Sequence, residues 1–359
     1  MNVFAVLMAG GVGTRFWPRS REKMPKQVLN IVGDDTMIQA TMNRLGGLVD
    51  AERVLIVTNP DQKKVISEQL PQLTGSSYVL EPFGRNTAPC IGLAALHVAA
   101  QDPDGVMVVL PADHLITKVD VFQSVLRTAI DFAASQDVLV TLGITPNEPA
   151  TGYGYIQAGE TVRTVNGHAV HKVKTFAEKP NLETATRFLE SGDFFWNSGM
   201  FIWRASTILN EIRDKLPDIH ERLTEVREVL GTAEYDTALT EMYRAIRGVS
   251  IDVGVMQQAD NVHVIPIDMG WNDVGSWETV YDISEKDRNG NAGEVDELVS
   301  IGGRDCYVYS PEKVVALVGV SDLIVVDTGD ALLVCHKSEA QQVKDAVEKL
   351  QKKGLSAHL

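Results

Sequence analysis

The chain has 359 residues, 44% of them apolar and 23% charged, with a net charge of −15 and a pI near 5.0. At roughly 150 residues per domain that length suggests two domains with room for an ample core, and the acidic balance argues against a nucleic-acid partner, which calls for a basic surface. Three cysteines without a CxxC pair disfavour a disulfide framework or structural zinc site and point to the cytoplasm, while no apolar run reaches the ~18 residues of a membrane span and no basic segment precedes the first one as a secretory signal would.

Residues 3–8 (VFAVLM) form an apolar run that stops at glycine, the pattern of a buried strand entering a tight loop. Similar runs recur at 53–58, 106–110 and 138–142, with helical patterns at 61–70, 88–100 and 119–134 between them. Strands alternating with helices predict an α/β fold with a mostly parallel sheet covered on both faces. The pattern then loosens. Strands are expected at 153–157, 170–176, 197–203 and 262–267, with helices at 182–190, from 206 to about 230, and from 276. The polar, glycine-rich stretch 287–294 (DRNGNAGE) reads as a linker dividing residues 1–286 from residues 295–359. Beyond it, short β runs at 306–309, 314–318, 323–327 and 331–334 precede a charged helix at 339–353, which predicts a small β-rich unit.

Gly10-Gly11-Val12-Gly13-Thr14-Arg15 directly follows the first strand. Glycine permits positive φ and close backbone approach, so successive N–H groups can cradle a phosphate. Two common phosphate motifs fail: the dinucleotide fingerprint meets Phe16 at its last glycine, and Lys26 stands between Pro25 and Gln27 rather than in a Walker A sequence. Between Arg15 and Lys26 the bases Arg15, Arg19, Arg21, Lys23 and Lys26 face a single acid, Glu22. On an acidic protein that reversal favours a polyphosphate, although a solvated loop would carry the same charges.

Asp113, in Pro111-Ala112-Asp113-His114, follows the third strand, and ligands of open α/β sheets bind beyond the carboxyl ends of strands. Asp273 lies in a second segment near Trp271. Two carboxylates together with triphosphate oxygens would suit Mg²⁺, although each aspartate also fits a turn or helix cap. The segments 152–155, 178–180 and 196–200 combine glycine, aromatic faces, Glu178, Lys179 and the Asn197 amide, a set suited to a sugar phosphate but also to ordinary turns.

Together AGGVGTRFWPRSREKMPKQ (9–27), EPFGRNTAP (81–89), PADH (111–114), GYGYI (152–156), EKP (178–180), WNSGMF (196–201) and DMGWNDVGSW (268–277) resemble the mannose-1-phosphate guanylyltransferases. The segments stand in the family's order over about three quarters of the chain. Phe16 and Arg19 replace common leucines and Ala177 a usual valine; none of the three is a phosphate or metal contact.

The resemblance implies a nucleotide-binding α/β/α sandwich with a mixed, mostly parallel sheet, plus a small C-terminal unit of left-handed β-helical character. It further implies transfer of GMP from GTP to α-D-mannose 1-phosphate, giving GDP-mannose and pyrophosphate, with Mg²⁺ as cofactor. In this chain Ala9, Gly10, Gly11, Gly13 and Thr14 would hold the triphosphate, with Arg15 on its β/γ side. Lys26 would stabilise charge near the α-phosphate, and Asp113 with Asp273 would hold the metal. Lys179 would take the sugar phosphate, and Gly154, Glu178 and Asn197 the mannose hydroxyls. Guanine presents N–H donors, so an acceptor is required; Glu81 is the candidate, near Arg85, Asn86 and Thr87, with Arg85 open to a structural ion pair. A homodimer is plausible for the family. Longer relatives carry a cupin-type isomerase domain that has no counterpart here, so isomerase activity is not expected. Another hexose 1-phosphate, or a non-catalytic regulatory subunit that binds sugar nucleotides, are the alternative readings.

Overall fold

The structure, a computed structural model, describes residues 2–359. Its strands are β1 (Val3–Met8), β2 (Val54–Thr58), β3 (Tyr78–Leu80), β4 (Val106–Pro111), β5 (Leu115–Ile116), β6 (Leu139–Ile144), β7 (Tyr155–Val165), β8 (His168–Ala177), β9 (Phe194–Arg204), β10 (Val262–Ile267), β11 (Trp271–Asn272), β12 (Ala292–Ile301), β13 (Tyr307–Val318), β14 (Leu323–Asp327) and β15 (Leu332–His336).

One nine-stranded sheet has the order β3-β2-β1-β4-β9-β6-β10-β8-β7. β3, β2, β1 and β4 pair in parallel, as do β6 and β10, while β8 and β9 run against the rest. The strands of the first half are apolar throughout because both faces are covered. Successive β1 residues show it: Ala5 and Leu7 join the core beneath helix Val119–Ser135, whereas Phe4 and Val6 join the core beneath helix Thr87–Gln101. Helix Tyr235–Ala245, which lies beyond the expected helices, packs in that second core through Leu239, Met242 and Tyr243.

The expected linker is a short turn. The Asp287 carboxylate accepts from the backbone N–H groups of Asn289 and Asn291, and by Ala292 the chain is already in β12. The runs expected at 306–309 and 314–318 are one strand, β13, interrupted by a register shift opposite Val295–Glu297. β12, β13 and β14 pair in parallel although only a few residues connect them. Parallel neighbours in a flat sheet need a crossover of a dozen or more residues, so such short connections wind the chain into β-helical coils. A third apolar cluster joins this unit to the larger one, bringing Tyr307, Ile324, Val326, Leu333 and Val343 against Phe16, Leu29, Val274 and Trp277.

Candidate active site

β1, β4, β6 and β10 end at one edge of the sheet, and their following loops converge there. The glycine loop is held from below. Gln27 Nε2 donates to the carbonyls of Ala9 (2.8 Å) and Gly11 (3.1 Å), and Ser20 Oγ donates to the Gly13 carbonyl at 2.7 Å. Gly13 has φ +73°, and a Cβ there would lie 2.5 Å from Cβ of Lys26, so both conformation and space require glycine. Gly10 and Gly11 are exposed to solvent, as is Arg15, which lines the cavity above with Gly13 and Thr14. Both backbone groups of Ala9 are engaged: its N–H donates to Val57, and its carbonyl accepts from Gln27 and Thr58.

That cavity, about 280 Å³, is also lined by Lys26, Asp113, His114 and Asp273. Lys26 is only 5% exposed. Its ammonium donates to Asp113 Oδ2 at 2.9 Å and to the Asp273 carbonyl at 2.7 Å, which fixes its position. Burial works to raise the Asp113 pKa, but the Lys26 ammonium prevails and holds this carboxyl below its ordinary range. The Asp273 carboxylate accepts from Tyr153 Oη at 2.8 Å. His114 Nδ1 accepts from Trp271 Nε1 at 3.0 Å, and burial pushes its imidazole down to about 4, against the pull of Asp113. His114 is therefore a neutral ring whose proton sits on Nε2.

A second cavity, about 220 Å³, continues from the first and shares His114 and Asp273 with it. It is lined by Gly154, Glu178, Lys179 and Asn197. Sheet register brings them together: Tyr155 pairs with both Trp196 and Ala177, placing the residues beside it at one point. A Cβ on Gly154 would lie 2.8 Å from Glu178 Oε2. Glu178 and Lys179 form an ion pair with each other.

The segment 81–87 divides. Glu81 is buried beside Gly10, accepts from Tyr243 Oη at 2.9 Å, and is pushed up to about 7 by burial. Among the described residues Arg85 has no ion-pair partner; its Nε donates to the Tyr243 carbonyl and its guanidinium lies over Phe83. Asn86, at φ +68°, caps helix Thr87–Gln101. Thr87 lines the second cavity, with the sugar-side residues rather than the glycine loop. The loop clamp Gln27, the Tyr153–Asp273 contact and Asp252, another lining residue of the second cavity, carried no signal in the sequence.

The donor set fits a hard divalent cation. Two carboxylates face the phosphate-side cavity, and among the described residues no group of three or more His, Cys, Asp or Glu side chains is arranged to hold a metal ion by itself. A cation there would complete its shell with phosphate oxygens and water, as Mg²⁺ does and structural zinc does not.

A family model described as nucleotidyl transferase matches residues 4–290, and one described as MannoseP isomerase/GMP-like beta-helix domain matches residues 296–350. A mannose-1-phosphate guanylyltransferase of Escherichia coli is 41% identical over 346 residues, spanning 96% of this chain and 73% of its own. The xanthan biosynthesis protein XanB of Xanthomonas campestris is 40% identical over 358 residues, spanning 99% and 74%. A crystal structure described as mannose-1-phosphate geranyltransferase from Thermus thermophilus matches with a TM-score of 0.86 at 33% identity, covering 98% of this chain and 100% of its own. The chain therefore belongs to the mannose-1-phosphate guanylyltransferase branch of the nucleotidyl transferase family.

Proposed function

We propose that the protein transfers GMP from GTP to α-D-mannose 1-phosphate, releasing GDP-mannose and pyrophosphate. The observation that carries this is the pair of joined cavities, one under a glycine loop with Lys26 and two aspartates, the other lined by Glu178, Lys179 and Asn197, with Asp273 common to both. An oxygen of the sugar phosphate attacks the α-phosphorus in line, the bond to the β-phosphate bridging oxygen breaks, and pyrophosphate takes the electron pair. The nucleophile is already an anion, so no general base is required. Positioning and charge stabilisation are what the protein must supply.

The N–H groups of Gly10, Gly11, Gly13 and Thr14 cradle the triphosphate, and Arg15 meets its β/γ end. Lys26 stabilises charge at the α-phosphate. Asp113 and Asp273 would hold Mg²⁺, which would supply positive charge to the phosphate oxygens. Lys179 holds the sugar phosphate, while Gly154, Glu178 and Asn197 meet the hexose hydroxyls. Glu81 is the guanine acceptor, reached past Gly10, and Arg85 and Asn86 shape the segment that carries it. Residues 1–286 form the catalytic domain and residues 295–359 a supporting β-rich domain. Three unpaired cysteines support a cytoplasmic setting, and no helix among the described residues is long and apolar enough to cross a membrane. A homodimer is the assembly proposed, on the family resemblance alone.

Pyrophosphate release by the purified protein with Mg²⁺, GTP and mannose 1-phosphate tests the proposal, against parallel reactions with glucose 1-phosphate and with UTP, dTTP or ATP. Release with GTP and mannose 1-phosphate above all other pairs is expected. Faster release with another pair overturns the substrates, and none from folded, GTP-binding protein overturns catalysis itself.

A further inference from the structure

The sugar-side cavity holds one more carboxylate than the resemblance assigns. Asp252 opens a π-helical turn, Asp252–Met256, and lines the cavity with Gly154, Glu178, Lys179 and Asn197. The turn is fixed from beneath by Ile251, Val255 and Met256, each at most 1% exposed. Its entrance is fixed by Thr87, whose Oγ1 accepts from the Ile251 N–H at 2.8 Å. Asp252 Oδ1 accepts from Asn197 Nδ2 at 2.7 Å. No other side chain among the described residues donates to this carboxylate.

That contact also settles what Asn197 offers. Its Oδ1 accepts from the Gly199 N–H at 3.2 Å and from Thr141 Oγ1 at 3.3 Å, and one Nδ2 hydrogen goes to Asp252. One N–H therefore remains for the cavity, and Asn197 acts as a donor. Glu178 and Asp252 are then the charged acceptors beside it. Burial and the neighbouring Glu178 charge both raise the Asp252 pKa, so it gains from hydroxyl donors.

We propose that Asp252 is a specificity-determining residue of the sugar site: its free Oδ2 accepts a hydrogen bond from a hexose ring hydroxyl while Oδ1 holds Asn197 as a donor to a neighbouring one. This rests on the sugar-phosphate transfer proposed above. A site that hydrogen-bonds a hydroxyl through a buried charged group rejects the analogue lacking it, because the group is left unpaired.

The test is a cycle of protein and sugar changes. Wild type, Asp252→Asn and Asp252→Ala are assayed with mannose 1-phosphate and its monodeoxy analogues, and GDP-mannose binding is measured by calorimetry. Asp252→Asn keeps the shape and an oxygen for Asn197. It is expected to raise KM for mannose 1-phosphate and weaken GDP-mannose binding about 10- to 100-fold, as loss of a charged hydrogen bond does, with KM for GTP within about twofold. One deoxy sugar is expected to be penalised by wild type and not further by Asp252→Asn. Independent penalties for every analogue, or unchanged sugar KM and GDP-mannose affinity in a variant that binds GTP normally, overturn the assignment. If wild type prefers another hexose 1-phosphate, the mannose reading fails while the same cycle on that hexose still decides the role of Asp252.

Discussion

Replacing Glu81 by glutamine separates the charge of this residue from its shape. Glu81 is 6% exposed, its Oε1 accepts from Tyr243 Oη, and burial lifts its pKa to about 7. In the unfolded chain the same carboxyl titrates near 4.5. A carboxyl raised by folding holds its proton more tightly in the native state. Its destabilising effect is therefore absent below about pH 4.5, grows as pH rises, and is complete above about pH 7. The interval corresponds to about 3 kcal/mol. Glutamine keeps the oxygen that Tyr243 requires and never ionises. Glu81→Gln is thus expected to exceed wild type in stability by less than about 1 kcal/mol at pH 5 and by about 3 kcal/mol at pH 8. Urea unfolding of both proteins at several pH values, compared at equal m, measures the difference directly. A difference that stays constant from pH 5 to 8 refutes the buried, proton-linked carboxyl. The same variant bears on the base pocket: loss of the carboxylate acceptor is expected to narrow the preference for GTP over ATP and UTP, read as ratios of kcat/KM.

Asp273→Ala is expected to lower kcat by about 10²- to 10³-fold, the scale of a lost preorganised charge contact; near-normal turnover at saturating Mg²⁺ would sink the metal assignment. Chelation by EDTA should stop pyrophosphate release by wild type, and added Mg²⁺ should restore it. Lys26→Ala is expected to reduce kcat more than KM, because its ammonium acts on charge that develops during transfer; an equal fall through KM alone would make it a binding residue only. Gly13→Ala should cost about 1–2 kcal/mol of stability for the left-handed backbone, and more than that in turnover, since the new methyl displaces Lys26. Thermal unfolding and initial rates on one preparation separate these two effects.

The parts of the fold legible in the sequence are those governed by local physics. The apolar run at 3–8 coincides with β1 because a strand buried on both faces admits little else. The glycine loop was legible because Gly13 has to adopt positive φ. What escaped depends on partners distant in the chain. β9 enters antiparallel between β4 and β6, a pairing no local pattern encodes. Arg85 looks like a ligand-binding arginine, yet it meets a carbonyl 158 residues away. Gln27 was invisible beside Lys26, since only the folded loop shows that it clamps two carbonyls. Helix Tyr235–Ala245 is a different kind of miss, because Tyr235, Leu239 and Met242 already carry helical spacing.

The β-helical unit gains a role from where its core lies. Val274 follows Asp273 with φ +47°, a conformation that a β-branched residue avoids and that costs of order 1–3 kcal/mol. It persists because Val274 is fully buried beside Trp277, whose indole packs against Phe16 at 5.2 Å and Tyr307 at 5.6 Å. Trp277 Nε1 also donates to the Trp17 carbonyl at 3.1 Å. Phe16 immediately follows Arg15, and Tyr307 begins β13. One cluster therefore ties the arginine of the phosphate loop, the backbone that carries Asp273, and the first coils of the C-terminal unit. Burying a side chain the size of Trp277 contributes a few kcal/mol, enough to hold the strained turn. The Asp273 carbonyl that anchors Lys26 and the carboxylate that faces both cavities are thus positioned by packing contributed from residues far outside the nucleotide-binding sheet.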